Sequence, residues 1–286
     1  MSSTVSDPAI AKDATRNQWN AAAAGWSASS DIIRTWLRQA TDTMLDIAKV
    51  RQGLHVLDIA AGAGDQTRDI ASRVGPGGRV VATDISPDIL EYAKANVRNA
   101  GHSNVEFVVA DGEHLGLPPA SFDAVLCRLG LMLFPDPARA LKEMYNMLQP
   151  NGIGCVLVFS APDRNPCVTK TMSIALKHAG LPPRDPYQPG GLLSLGKPGL
   201  LETLFQQAGF HDLVTVRIDA PFRLASVANY LRFLQSAASP VIEILGRLDP
   251  ATRSHAWADI EDALAIFNTA GGWEGPNELL LAAGRR

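Results

Sequence analysis

The run Val56-Leu57-Asp58-Ile59-Ala60-Ala61-Gly62-Ala63-Gly64-Asp65 carries the strongest chemical signal in the chain. An apolar strand runs into a loop of small residues, and the loop opens a helix. Small residues let backbone approach a ligand closely, and the first turn of a helix offers free N–H groups. A second carboxylate, Asp84, ends the next strand 26 residues after Asp58, and Asp111-Gly112 ends the third strand 27 residues further on. A carboxylate at the end of the second strand can accept hydrogen bonds from both hydroxyls of a ribose. Each feature also has an ordinary explanation, because aspartates close turns and tight loops need no ligand. Three carboxylates delivered to one edge, beside a small-residue loop, point to a nucleotide-like ligand there.

A parallel sheet is needed to bring these residues together, and the chain has the pattern for one. His55 to Ala60, Arg79 to Ile85, Val105 to Ala110, Phe122 to Cys127 and Ile153 to Phe159 read as strands. Several are nearly continuous apolar runs, as expected where helices cover both faces. Asp65 to Val74 reads as a helix. Ser86-Pro87-Asp88 starts another, with a capping hydroxyl and proline at the first helical position. Pro137 to Leu148 is a third, stopped by Gln149-Pro150-Asn151-Gly152. The alternation predicts a doubly wound α/β domain.

Around this core the pattern changes. Residues 1–15 are polar and unpatterned, a tail. Residues 31–49 carry Ile33, Trp36, Leu37, Ala40, Met44 and Ala48 at helical spacing, with Ser30 or Asp31 as the cap. Residues 161–198 hold seven of the 19 prolines and predict a lid or insertion. Leu200 to Gln207 returns to helix and Leu213 to Ile218 to strand. Residues 224–268 look helical throughout, with Asp249-Pro250 starting the last helix, and a break at Gly271-Gly272 precedes a final strand, Glu278 to Ala283.

Composition narrows the function. The chain has 286 residues, 46% of them hydrophobic and 19% charged, with a net charge of −3. That is an ordinary globular balance, and a surface built to neutralise nucleic-acid phosphates would be basic. Cys127, Cys155 and Cys167 are too few and too scattered for a disulfide framework or a zinc cluster, so no metal is expected. No apolar stretch reaches the roughly 18 residues of a membrane helix, and Met1 to Asn20 lacks the pattern of a secretory signal. A cytoplasmic protein with reduced thiols is the expectation.

The motif residues resemble those of class I S-adenosylmethionine-dependent methyltransferases, in particular the ubiquinone/menaquinone-biosynthesis-like group (methyltransferase type 11). Val56 to Gly64 is similar to the family's glycine-rich first motif, with Ala60 where a glycine commonly stands, a change the quinone-biosynthesis group accepts. Thr83-Asp84-Ile85-Ser86-Pro87 resembles the second motif. Asp111-Gly112-Glu113-His114-Leu115 with Ser121-Phe122-Asp123 resembles the region of the third and fourth strands. Leu148 to Gly152 resembles the leucine-x-proline-glycine-glycine turn, with Asn151 for one glycine. The resemblance covers residues 54–160 well and is weaker over 197–218 and at the last strand. It implies a seven-stranded, mostly parallel Rossmann-like sheet with helical lid insertions. The segments would be 1–50, a helical segment covering the cofactor site; 51–160, the cofactor-binding core; 161–196, a proline-rich lid; 197–221, a core helix and strand; 222–272, a helical substrate lid; and 273–286, the last core strand.

The resemblance also implies roles. Asp58 and the loop Ala60, Ala61, Gly62, Ala63 and Gly64 would hold the methionine part of S-adenosyl-L-methionine. Asp84 would bind the ribose, Ile85 would pack on adenine, Asp111 would accept from the adenine amino group, and Gly112 would face the ring. Carbonyls near Cys127 and Arg128 would line the methionine amine. Trp19 or Trp26 would close the site, unless both are core packing.

A dehydrogenase fingerprint is not met, because its third glycine position holds Thr67 or Asp65, depending on register. An NAD-dependent dehydrogenase and a non-catalytic cofactor-binding partner stay as alternatives. The Asp/Asn-Pro-Pro-aromatic motif of amino-adenine methyltransferases is missing from the end of the fourth strand, which reads Cys127-Arg128-Leu129-Gly130.

Methyl transfer is an in-line displacement, so the protein mostly supplies alignment and a dry site. A general base matters only where the acceptor must lose a proton, and His114, His178 and His255 are the candidates, with Tyr230 and Arg128 as orienting groups. Met172, Leu176, Tyr187, Tyr230, Phe233, Leu234, Trp257 and Phe267 in the inserts suggest an apolar pocket. They favour a small aromatic, quinone-like or polyketide-like acceptor over a macromolecule, methylated on oxygen, nitrogen or carbon. A homodimer is possible.

Overall fold

A computed structural model of the chain describes residues 8–286. In chain order its elements are α1 (Pro8–Ala28), α2 (Ser30–Ile47), β1 (His55–Ile59), α3 (Asp65–Val74), β2 (Arg79–Asp84), α4 (Pro87–Asn99), β3 (Val105–Val109), β4 (Phe122–Arg128), α5 (Pro137–Met147) and β5 (Leu148–Phe159). Then come α6 (Pro166–His178), α7 (Leu200–Ala208), β6 (His211–Asp219), β7 (Phe222–Leu224), α8 (Val227–Ala237), α9 (Ser239–Gly246), α10 (Pro250–Leu264), β8 (Asn268–Thr269), β9 (Gly272–Gly275) and β10 (Glu278–Arg285). Seven strands form one sheet in the order β3-β2-β1-β4-β5-β10-β6. The first five pair in parallel, and β10 runs antiparallel to both of its neighbours. The expected α/β sheet, seven-stranded and mostly parallel, is therefore what the chain forms. Strand order reverses between β1 and β4, and in open sheets of this kind the ligand crevice lies at the carboxyl ends beside that switch point.

The central strands are apolar along their length because helices cover both faces, and β1, β4 and β5 are buried almost end to end. Local chemistry sets where the helices start. The Ser86 hydroxyl accepts the Ile89 N–H at the head of α4, and Pro87 follows it. The Asp136 carboxylate caps α5 through the Arg139 N–H, and Asp249 caps α10 through Ala251 and Thr252.

Several expectations change. The tail reading of residues 1–15 lies outside the described residues over 1–7 and is overturned over 8–15, which belong to α1. Neither Ser30 nor Asp31 caps α2. Ser29 stands at the junction, and its hydroxyl donates to the Gly25 carbonyl at 2.9 Å because α1 leads straight into α2. The turn at Gln149-Pro150-Asn151-Gly152 is part of β5, which pairs with β4 from Leu148 onward. The register shifts between Phe122 and Ala124, and Asn151 adopts a φ of 67° as β5 passes this irregularity. The prolines of 161–198 leave room for a full helix, α6, and the break at Gly271-Gly272 is the turn of a hairpin. That hairpin joins β7 in a second small sheet, in the order β7-β9-β8.

Aromatic rings join α2 to the C-terminal portion and hold that portion together. Trp36 of α2 stacks on Phe222 at 4.0 Å and donates its indole N–H to the Ala220 carbonyl at 2.6 Å. Tyr230 stacks on the buried Trp273 at 4.6 Å. No described helix is long and apolar enough to cross a membrane.

Gly64 enters α3 with a φ of +85°, and a Cβ there would stand 3.0 Å from the Ala93 Cα on α4. Gly64→Ala is expected to destabilise the fold by about 1–3 kcal/mol, since backbone strain and close packing act together. Chemical denaturation checks this: the midpoint should fall with the slope unchanged.

Candidate functional site

The loop after β1 is held by two buried carboxylates. Asp58 accepts the Gln66 side-chain amide at 2.8 Å and the Thr67 hydroxyl at 2.7 Å, so the strand end is tied to the first turn of α3. Asp84, at the end of β2, accepts the Gly62 N–H on one oxygen and the Ser86 N–H on the other, both at 3.0 Å. The Ala61 N–H reaches the Thr83 carbonyl at 2.9 Å. Burial raises both carboxyls above the ordinary carboxylate range. Asp58 is pushed up to about 7, against the hydrogen bonds of Thr67 and Gln66 and the charge of Arg128. Asp84 is pushed up to about 6, against backbone N–H donors.

Ala60 takes a left-handed φ of 56° where glycine is usual in the motif. The loop accommodates its methyl because Gly130 lies opposite, where a Cβ would come within 2.6 Å of the Ala60 Cβ.

Trp26, Asp58, Ala60, Ala61, Gly62, Asp84, Ile85, Asp111, Gly112 and Arg128 all line one cavity of about 100 Å³, together with Trp19. Gly64 and Cys127 do not line it. Gly64 packs against α4, as above, and Cys127 is wholly buried in β4 with its thiol pushed up to about 12 by burial.

The sequence reading missed several lining residues. Asp65 and Gln66 start α3, and the side-chain carbonyl oxygen of Gln66 is buried without a partner. A polar pair opening the helix after a glycine loop was the available signal. Lys12, in the stretch read as tail, comes from α1 to pair with Asp111 and, at 2.6 Å, with Glu113. Burial opposes its charge, but the two carboxylates raise its pKa. Phe134 lies against Gly112, where a Cβ would meet its ring at 2.5 Å.

Arg128 forms a buried ion pair with Asp65 and donates to the Thr41 hydroxyl of α2 at 2.8 Å.

A second cavity of about 200 Å³ adjoins the first, and Trp19, Trp26, Leu129 and Leu133 belong to both. Its wall is aromatic and apolar, from Trp36, Phe159, Phe222, Tyr230 and Phe233. Of the pocket residues expected from the inserts, Met172, Tyr230, Phe233 and Leu234 line it. Leu176 lines a neighbouring groove, while Tyr187, Trp257 and Phe267 line neither cavity.

The three histidines are not brought to either cavity. His114 is exposed beyond the Asp111 turn, His255 is exposed on α10, and His178 pairs with Asp259 at 2.7 Å, linking α6 to α10. All three stand at solvent-facing or rim positions, where polar side chains normally fall on helices and turns. No described group of three His, Cys, Asp or Glu side chains could hold a metal ion.

Comparison with known proteins bears on the family and the fold. The model of the ubiE/COQ5 methyltransferase family matches residues 28–178. The chain is 40% identical over 147 residues to the ubiquinone/menaquinone biosynthesis C-methyltransferase UbiE of Hahella chejuensis, covering 51% of this chain and 57% of that protein. It is 32% identical over 211 residues to the UbiE of Haemophilus ducreyi, covering 69% of this chain and 80% of that protein. The chain thus spans little more than half the length of the first curated relatives it matches. Among solved structures, a putative methyltransferase from Bacillus halodurans superposes with a TM-score of 0.55 at 21% identity, over 86% of this chain and 97% of that one. At that identity the likeness concerns the fold.

Removing one partner of a buried ion pair strands the other. Arg128→Met is expected to cost about 3–5 kcal/mol of stability, with Arg128→Met/Asp65→Asn recovering part of it. Thermal unfolding of the two variants checks this, and a double variant no more stable than the single would contradict the pairing.

Proposed function

Because this chain belongs to the ubiE/COQ5 methyltransferase family, we propose that it transfers a methyl group from S-adenosyl-L-methionine to a small apolar acceptor held in the aromatic cavity. The observation that carries this reading is the junction of two unlike cavities at Leu129 and Leu133. One is lined by carboxylates and the small-residue loop, the other by aromatic rings.

The residues of the first cavity fit the cofactor. The unpartnered oxygen of Gln66, with Asp58 and Asp65 beside it, makes an acceptor-rich corner suited to the ammonium of a methionine. Asp84 uses one lone pair on each oxygen for backbone N–H groups and keeps further capacity for ribose hydroxyls. Ile85, Ile89 and Phe134 offer apolar surface for adenine, with Asp111 at the rim for its amino group. When bound, the cofactor supplies a methyl carbon already activated on a positively charged sulfur.

Alignment and exclusion of water are then the tasks of this chain. Trp19 and Trp26, edge to face at 5.6 Å, form the shared wall from the α1 side. Among the described residues lining the aromatic cavity, only Cys167 and Tyr230 titrate. Burial pushes the Cys167 thiol up to about 12 and the Tyr230 hydroxyl well above its usual range. Both keep their protons at neutral pH. The acceptor therefore has to present its electron pair without a base from this cavity, and none of the three histidines lines either cavity to supply one.

Calorimetric titration with S-adenosyl-L-methionine, S-adenosylhomocysteine and NADH tests the reading. The first two should bind and NADH should not; binding of NADH alone would return the loop to a dehydrogenase. Asp84→Ala should weaken S-adenosylhomocysteine binding by about 2–3 kcal/mol through loss of charge-assisted hydrogen bonds.

Ribose hydroxyls and an ammonium both favour the ionised carboxyls. Affinity should therefore be full well above pH 7 and fall as the pH drops through about 7 and 6, with protons released on binding in that range. Stability of the free protein should move the opposite way. A carboxyl raised in the fold contributes stability below the unfolded carboxyl range, and that contribution is lost as the pH rises through about 6 and 7. Titrations in buffers of different ionisation enthalpy read the proton release, which Asp84→Ala should reduce.

A further inference from the structure

Seven described side chains carry a buried nitrogen or oxygen with no hydrogen-bond partner, and three of them, Thr171, Ser239 and Asn277, line the aromatic cavity. Buried polar atoms are rarely left unpaired, because each forfeits its hydration without compensation. All three residues line this one cavity, from three separate elements, and together they point to a ligand that completes them; Asn277 also borders a polar groove on its other side. Thr171 lies within α6, Ser239 opens α9, and Asn277 precedes β10. They are 2%, 9% and 4% exposed.

Asn277 is the most constrained of the three. Its amide nitrogen donates to the Gly275 carbonyl at 3.3 Å, and its backbone carbonyl accepts the Ala220 N–H at 2.8 Å. The side chain is thereby fixed with Oδ1 left over. An amide oxygen only accepts, so its partner has to be an O–H or N–H; the Thr171 and Ser239 hydroxyls both donate and accept. No lysine, arginine, histidine or carboxylate lines this cavity among the described residues. A charged ligand would lose its hydration there with no opposite charge to meet it.

We propose that Thr171, Ser239 and Asn277 are the specificity-determining residues of the acceptor cavity. They select a neutral, largely apolar molecule with at least one hydroxyl or N–H group, which Asn277 Oδ1 accepts. This rests on the reading of the cavity as the acceptor site. Ser239 and Asn277 lie beyond residues 28–178, the stretch the family model matches, whereas Thr171 lies within it. The three side chains position the acceptor and take no part in bond making.

The test is calorimetric titration of the full chain with p-cresol and with p-xylene, which differ by a hydroxyl for a methyl. It is run with and without S-adenosylhomocysteine. The unaltered protein should bind p-cresol about tenfold more tightly than p-xylene, since a site built to hydrogen-bond a hydroxyl rejects the analogue lacking it. Asn277→Leu should close most of that gap, and Thr171→Val and Ser239→Ala should each narrow it, with p-xylene affinity unchanged. Thr171→Val is close to isosteric and keeps the test valid should the leucine variant fail to fold. Equal affinity for the two probes, no binding of either, or a gap that persists in all folded variants overturns the proposal. S-adenosylhomocysteine binding is read separately. Its failure in the unaltered protein sinks the methyltransferase reading, while the cresol preference is still judged by the titrations without it.

Discussion

Everything at the candidate site depends on how a buried carboxylate at the end of β2 is kept in place. Asp84 is largely withdrawn from water, and the two backbone N–H groups whose hydrogen bonds it accepts come from different pieces of chain, the loop after β1 and the start of α4. Those bonds offset part of the cost of burial, and they also fix the loop against the neighbouring strand. Asp58 does the same one strand over, through Gln66 and Thr67 of α3. The two carboxylates thus act first as joints of the fold. Their raised proton affinity is the electrostatic residue of that arrangement, and it makes them responsive to any ligand that brings donors.

The first cavity was legible in the sequence because its determinants are local. Asp58, Asp84 and Asp111 each sit at a strand end, and the parallel sheet converts their spacing in the chain into adjacency in space. The small-residue loop and the Ser86-Pro87 helix start are equally local signals. Lys12 was not legible, because its ion pairs cross from α1 to the loop after β3 and no local pattern marks a lysine for such a role. Nor was the hairpin β8–β9 legible. It depends on Trp273 being buried beneath Leu264 and against Tyr230, which are tertiary contacts. The histidines misled for a related reason: their ring chemistry suits catalysis, but tertiary structure alone decides whether a ring reaches a cavity, and it leaves these three elsewhere.

The two cavities differ in electrostatics more than in size. The first gathers Asp58, Asp65, Asp84, Asp111 and Glu113 around Lys12 and Arg128: Asp65, Asp111 and Glu113 meet a cation within the wall, and Asp58 and Asp84 meet neutral donors. The second has no charged lining residue among those described. An uncharged aromatic wall gains most from apolar ligands and penalises charge strongly. The division follows from the layers of the fold. Carboxylates are available at the strand ends of the sheet, whereas the second cavity is built mainly by helices that turn their apolar faces inward over that edge.

Leu129 stands where the two environments meet, and its backbone shows the constraint. It follows Arg128 at the end of β4 with a φ of 56°, a conformation that a branched residue adopts only when its surroundings enforce it. Its N–H is held by the Leu157 carbonyl at 2.7 Å, which keeps the chain on β5 through the turn. Glycine would adopt this conformation with less strain, but it would remove the side chain that walls both cavities. Arg128, one residue earlier, anchors the same strand end to Asp65 and Thr41. The turn is thus fixed from α2, α3 and β5 together. A strained apolar residue is thus held at the contact between a polar and an apolar chamber, and the methyl transfer proposed above would need dryness at that contact more than it would need an acid or a base.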